Sequence, residues 1–309
     1  MKAEKNQTTE KFKSKIGGQA LIEGIMMLGV HKGAMACRLP DGSIDLETWD
    51  EHNGKDAPLY RRIPFVRGTF NFIGSMAKGY KYLMKSADKQ IPEDEKAQTK
   101  GESAVTGLIM TLGTVIGVAF ALAIFMFLPK WLVGFITPVK EMRILRSVLE
   151  GIVKIAIFVG YMAATALMKD IAVTYRYHGA EHKTIACHEA KLPLTVENVR
   201  KQIRFHKRCG TSFIFIVLMV SIFVMCFIPF TVTWQRIVSG FVLLPVVIGI
   251  SYELIRLAGN NDNAFTRVLS APGLWLQRIT TKEPTDAQIE VAIAAIKPCI
   301  PDNIEEDVW

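Results

Sequence analysis

The chain has 309 residues, half of them hydrophobic, and its mean hydropathy of +0.24 is more apolar than a soluble domain requires. Its 37 Lys and Arg against 29 Asp and Glu give a net charge of +8, but no basic run is interleaved with aromatics, so nucleic acid is not the expected partner and anionic lipid headgroups are. The five cysteines, at 37, 187, 209, 226 and 299, form no CxxC pair, and no disulfide framework is expected.

Residues 1–15 are charged and polar, read as a disordered tail, and no apolar stretch suited to a cleavable signal peptide follows them. Residues 16–100 form a cytosolic segment. It opens on "IGGQALIEGIMMLG", where Gly17, Gly18, Gly24 and Gly29 surround Gln19 and Glu23. Such glycine density marks backbone that turns tightly or approaches something closely, without the spacing of a dinucleotide fingerprint. One reading is a loop packed on the membrane domain; the other has Gln19 and Glu23 reaching a functional site. "GAMACRLPDGSIDLETW" carries Asp41-Gly42 between two alternating runs and predicts a β-hairpin. From 68 to 88, Phe70, Ile73, Met76, Ala77, Tyr80 and Met84 recur at helical spacing. That predicts an amphipathic helix, lying either on the membrane surface or against a small core.

The membrane domain is expected over 101–257. Four spans are read, at about 104–128, 147–168, 213–229 and 237–255. The first runs without a charge for longer than the ~30 Å hydrocarbon core demands. The second carries Glu150 and Lys154 in its first turns, at i,i+4 spacing. Lys and Arg number 17 before the first span, 4 in 129–146, 9 in 169–212, 1 in 230–236 and 4 from 258 onward. This alternation places both termini and the 169–212 loop in the cytosol. The fold class expected is therefore an α-helical integral membrane protein of about four transmembrane helices, with a cytosolic hairpin, an amphipathic helix and a C-terminal helix.

The cytosolic loop holds "YHGAEHKTIACHEA". His178, Glu181 and His182 form H-x-x-E-H, which on a helix sets two imidazoles on one face where both can bind one divalent metal, zinc foremost, with Glu181 as base for the metal's water. On a continuous helix Glu189 returns to the same stripe but lies about 10 Å further along it, so the third ligand must come from elsewhere. His206, Cys209 and Glu253 are the candidates at that membrane level. Glu253 could instead pair with Arg256, and Cys209 could simply be a small packed residue. Cys187 and His188 fall off the stripe. The 258–309 tail is cytosolic, with Thr285 and Asp286 after Pro284 capping a helix that runs to about Ile296.

The blocks "GGQALIEGIMM", "VRGTFNFIGSMAKGYKYL", "YHGAEHKTIACHEA", "RCGTSF" and "APGLWLQRITTKEPTDAQIEVAIAAI", in this order from about 16 to 298, resemble the bacterial YqhQ-like family, a domain-of-unknown-function family labelled a predicted metal-dependent enzyme. The resemblance implies a multi-pass protein of the bacterial inner membrane, and its label rests on the motif carried here by His178, Glu181 and His182. One departure is visible: Leu28 stands where the family usually has an arginine after the paired methionines. Two functions of different class are consistent with these features. One is a cytosol-facing metal-dependent hydrolase. The other is a non-catalytic biogenesis or assembly factor whose polar stripe binds a partner membrane protein or lipid headgroups.

Overall fold

The structure, a computed structural model, describes residues 12–52, 58–91, 103–136 and 142–309. The 169–309 half begins with α5 (Lys169–Glu189) and ends with α11 (Asp286–Ile296), and these two helices cover one face of a four-stranded antiparallel sheet. The sheet is a meander of β1 (Gly17–Leu21), β2 (Gly24–Leu28), β3 (Lys32–Arg38) and β4 (Ile44–Asp50). The expected hairpin is β3–β4, with Arg38 opposite Ile44 and Gly42 turning the chain at φ 86°. Asp41 accepts hydrogen bonds from the Ser43 amide and hydroxyl, fixing that turn.

The glycine-rich stretch is a second hairpin rather than a loop. Ile25, Met26 and Met27 are all buried, because the sheet is covered on both faces, so β2 shows no alternation from which a strand could be read. Ile25, Met27, Ala34 and Ala36 face α5 and α11, packing with Tyr177, Ile185, Val291 and Ile296. Met26, Met35 and Cys37 face α1 (Val66–Lys89), packing with Tyr82.

The α1 helix is amphipathic as expected, but the apolar stripe is its outer face. Val66, Phe70, Ile73, Met76 and Tyr80 are exposed, while Gly68, Gly79, Tyr82 and Ser86 are buried. Lys78, Lys85 and Lys89 are ion-paired to Glu51, Glu47 and Asp45 of the sheet region, and Trp49 stacks on Tyr82 with centroids 4.1 Å apart.

The remaining helices are α2 (Ser103–Leu122), α3 (Leu128–Gly134), α4 (Arg143–Thr165), α6 (Val196–Arg200), α7 (Gly210–Cys226), α8 (Thr233–Val242), α9 (Leu244–Asn260) and α10 (Ala264–Thr280). Among the described residues, two segments are long and apolar enough to cross a membrane: Thr111–Gly134, which joins α2 to α3 through a π-helical turn at Ala123–Phe127, and α4. They correspond to the first two expected spans. The expected fourth span is broken, since α8 and α9 meet at a 52° bend, and the two together make a third crossing only if they count as one. Pro245, which lacks an amide hydrogen, sits in the first turn of α9, where a continuous helix would need that donor. The expected third span is α7, whose 17 residues extend only about 25 Å, short of a ~30 Å core. Its buried side chains Phe213, Ile216 and Val220 pack on Val247, Ile248 and Ile255 of α9.

The C-terminal helix is capped by Thr285, one of the two expected cap residues, and Gln288 completes a reciprocal capping box. Residues 1–11 of the expected tail lie outside the described residues, whereas Ser14 and Lys15 are tied to the chain's end. Buried Asp307 accepts from the Ser14 hydroxyl, the Lys15 amide and His188.

Candidate metal centre

The H-x-x-E-H motif lies mid-helix in α5, and the i,i+4 spacing brings the rings of His178 and His182 to 4.4 Å, centroid to centroid. Gly179 is a weak helix former, yet packing requires it. A Cβ there would lie 2.0 Å from the Lys282 carbonyl oxygen, because the strand-like segment after α10 crosses directly over the helix and donates its Lys282 amide to Tyr175.

That close crossing brings the Thr280 carbonyl to His178 Nδ1 at 2.9 Å. The Arg204 carbonyl stands 2.6 Å from His182 Nδ1. A carbonyl only accepts, so each Nδ1 carries a proton, and Nε2 is the atom each ring has left for a ligand. Both rings meet one thiol. His178 Nε2 is 3.2 Å from Cys209 Sγ, and the donor atoms of His178, His182 and Cys209 all lie within 4.8 Å of one another. Ligands about 2.0–2.3 Å from a tetrahedral ion stand roughly 3.4–3.7 Å apart, so this group closes on an ion with side-chain adjustments of about an ångström.

Cys209 is delivered by the N-terminus of α7, where it is the cap residue. The loop before it is clipped to α10 by buried Gln277, which accepts from the His206 amide through Oε1 and donates through Nε2 to the His206 carbonyl and to Ser212. Burial alone would raise the Cys209 pKa, but His178 and His182 outweigh it and hold the thiol well below its ordinary value. Burial alone would lower His178, but the Cys209 charge and hydrogen bond, with Glu181 behind them, hold it at about 9. Without metal the pair is thus a thiolate beside an imidazolium.

Glu181 is buried between the two histidines in sequence, and β1 meets it: a Cβ on Gly18 would lie 3.0 Å from its carboxyl carbon, and the Gly18 amide donates to it. Its Oε2 is buried with no hydrogen-bond partner among the described residues. Burial, opposed by the histidines, raises its pKa. Glu181 is not within the three-residue group that closes on an ion.

His206 sits against the centre, its ring 5.6 Å from His182. Its Nε2 accepts from Arg208 at 3.1 Å, and burial, Arg208 and the other two histidines drive its pKa well down, so it is neutral with its lone pair spent. Glu189 pairs with Arg208 and accepts from the Ser14 amide. Glu253 is held by Arg67, Nε to Oε1 at 2.8 Å, and by the Phe65 amide, not by Arg256. Gln19 is packed on Gly79 of α1, and Glu23 accepts from Tyr177 at 3.0 Å, one residue before His178. Among the nine candidates from the sequence, the structure gathers His178, Glu181, His182 and Cys209, with His206 adjoining. It also adds Gly18, Gln277 and the carbonyls of Arg204 and Thr280, and the last two have no side-chain signal to find them by.

A family model described as a protein of unknown function, DUF1385, matches residues 63–302. The chain belongs to this family. It is also 38% identical over 284 residues to the uncharacterized protein YqhQ of Bacillus subtilis strain 168, covering 90% of this chain and 89% of that one. No solved structure matches.

Proposed function

We propose that this chain is a metal-dependent hydrolase of the bacterial inner membrane, with His178, His182 and Cys209 as ligands and Glu181 as the proton-accepting base. The observation that carries this reading is the orientation of the imidazoles. Two backbone carbonyls take both Nδ1 protons, so Nε2 is the atom that each ring has left for an ion, within 4.8 Å of the Cys209 sulfur. Two imidazoles and a thiolate are a donor set suited to zinc. When bound, such an ion acts as a Lewis acid and brings the pKa of water toward neutrality. Glu181 would then hold the proton on Oε2, the oxygen without a partner among the described residues, while the Gly18 amide fixes the other side of the carboxylate. The outward stripe of α1 would lie in the lipid interface of the cytosolic leaflet, with both termini on that side.

Burial supports a second reading. His182, Glu181 and Cys209 are 2%, 5% and 7% exposed, the enclosure of a structural site. In that case the metal would staple α5 to α7 in a non-catalytic assembly factor. Glu181→Gln separates the two. Metal analysis of the detergent-purified chain should give stoichiometric metal for wild type and Glu181→Gln. Complementation of a deletion strain should succeed with the first and fail with the second. Full complementation by Glu181→Gln with metal in place would leave the structural reading standing and remove the hydrolase.

A further inference from the structure

The far end of α7 carries a second buried polar cluster that the metal centre does not use. Arg146 and Glu150 lie one turn apart on α4, and Arg236 comes from α8; their exposures are 1%, 5% and 0%. Glu150 accepts from Arg146 Nε at 2.9 Å and from Arg236 Nε and Nη2 at 3.2 and 3.0 Å. The remaining guanidinium donors go to the carbonyls of Phe230 and Thr231 and to the hydroxyls of Ser147 and Thr233.

Lys130 of α3 adjoins this group and is 3% exposed. Its single hydrogen bond among the described residues reaches a carbonyl of its own helical segment, Met126, at 3.3 Å. Lys154, one turn on from Glu150, adjoins Lys130 as well, so among the described residues four cations share one buried carboxylate, and the Lys130 ammonium, with three donors, spends one. A buried charge is tolerated only when paired. Gly240 lets Lys130 come close: a Cβ there would stand 3.3 Å from Nζ and from the Met126 methyl.

We infer that this cluster binds a phosphate-class oxyanion, with Lys130 as its unspent donor and Arg146 and Arg236 as the fixed positive field. A phosphate monoester, a diester or a free phosphate all present the acceptor oxygens that an ammonium takes. A lipid headgroup can supply one here, because α4 and the segment ending in α3 are each long and apolar enough to cross a bilayer.

The test is thermal unfolding of the full chain in phosphatidylcholine nanodiscs, with phosphatidylglycerol or inorganic phosphate added separately. Wild type should gain about 4 °C with at least one of them. Lys130→Met should lose that gain while remaining as stable as wild type in phosphatidylcholine alone, and Lys201→Met, remote at the exposed end of α6, should keep it. A gain from phosphatidylglycerol only identifies the lipid as source, and a gain from phosphate as well identifies a free oxyanion. If Lys130→Met is not recovered, Lys130→Arg should retain the gain, and native mass spectrometry of wild type should show one phospholipid or phosphate held through purification. No gain from either source with nothing retained, or an equal gain in Lys130→Met, overturns the inference.

Discussion

The two buried polar clusters are near inverses of one another. Cys209 caps one end of α7, and Met225, whose carbonyl accepts from Ser147, lies near the other, about 24 Å away. At the Cys209 end, backbone carbonyls absorb the Nδ1 protons and leave the Nε2 atoms for a ligand. At the Met225 end, carbonyls absorb guanidinium protons around a lone carboxylate and leave an ammonium short of acceptors. The same backbone group thus prepares one site for a cation and the other for an anion. The sign of what each can hold follows from which side chains the carbonyls have already satisfied.

The sharpest way to break this comparison is to remove the sulfur. Cys209→Ala should take bound zinc from about one ion per chain to below about a tenth, because two imidazoles alone do not hold a tetrahedral ion through purification. His206→Ala should keep it, since that ring's lone pair is already spent on Arg208. Metal analysis in which His206→Ala loses zinc and Cys209→Ala retains it would reverse the ligand assignment.

At the other cluster, Glu150→Gln leaves Arg146 and Arg236 buried with no carboxylate between them. Breaking a buried pair in this way costs about 3–5 kcal/mol. Denaturant unfolding in detergent should show that loss, against little change for Lys130→Met. Equal destabilisation by both substitutions would mean that Lys130 is as fully paired as the arginines.

The proton held by His178 gives the next effect in size. In the metal-free chain this imidazole stays protonated up to about 9, and binding must displace that proton while the Cys209 thiolate has none to lose. Zinc affinity should therefore rise with pH by about tenfold per unit and level off near 9, a change of roughly a hundredfold from pH 7. A flat calorimetric profile over that range would show that the metal does not compete with this proton.

How much of this was legible in the sequence depended on the kind of signal each feature leaves. The H-x-x-E-H register, the Asp41-Gly42 hairpin and the Thr285 cap are local patterns, and each appears in place. The β1–β2 hairpin was hidden because β2 is buried on both faces. The break between α8 and α9 was hidden because an apolar run reads the same whether straight or bent; only Pro245 marked it. Glu253 was a natural third-ligand candidate as a charge near the end of an apolar helix, but its partner, Arg67, is 186 residues away and no spacing rule reaches that far. The lone cysteine at 209 looked like packing until the loop clipped by Gln277 brought it to the histidines.

Gly179→Ala should act through that geometry rather than through the ligands themselves. The added methyl would meet the Lys282 carbonyl and push the crossing segment, with the Thr280 carbonyl, away from His178. Loss of such an orienting partner typically costs 10–100-fold in metal affinity. A zinc titration of this variant should show that weakening with the ligand set intact. Unchanged affinity would mean that the Thr280 contact does not orient the ring.

The smallest expected effect is also the one that most directly tests the division between regions. Glu253→Gln removes one partner of a half-buried ion pair between α1 and α9, while the Phe65 amide and one side of the Arg67 fork can still find an oxygen acceptor. Exposed pairs contribute about 0–1 kcal/mol, and partial burial places this one near the upper end, so unfolding should shift by about 1 kcal/mol. Zinc content should not change at all, because the carboxylate is committed to Arg67 and lies outside the group formed by His178, His182 and Cys209. If metal analysis showed zinc falling in Glu253→Gln to the level of Cys209→Ala, the carboxylate would have to leave Arg67 to complete the centre. The helix carrying it would then move on binding, and α1 and α9 would belong to the metal site rather than to its support.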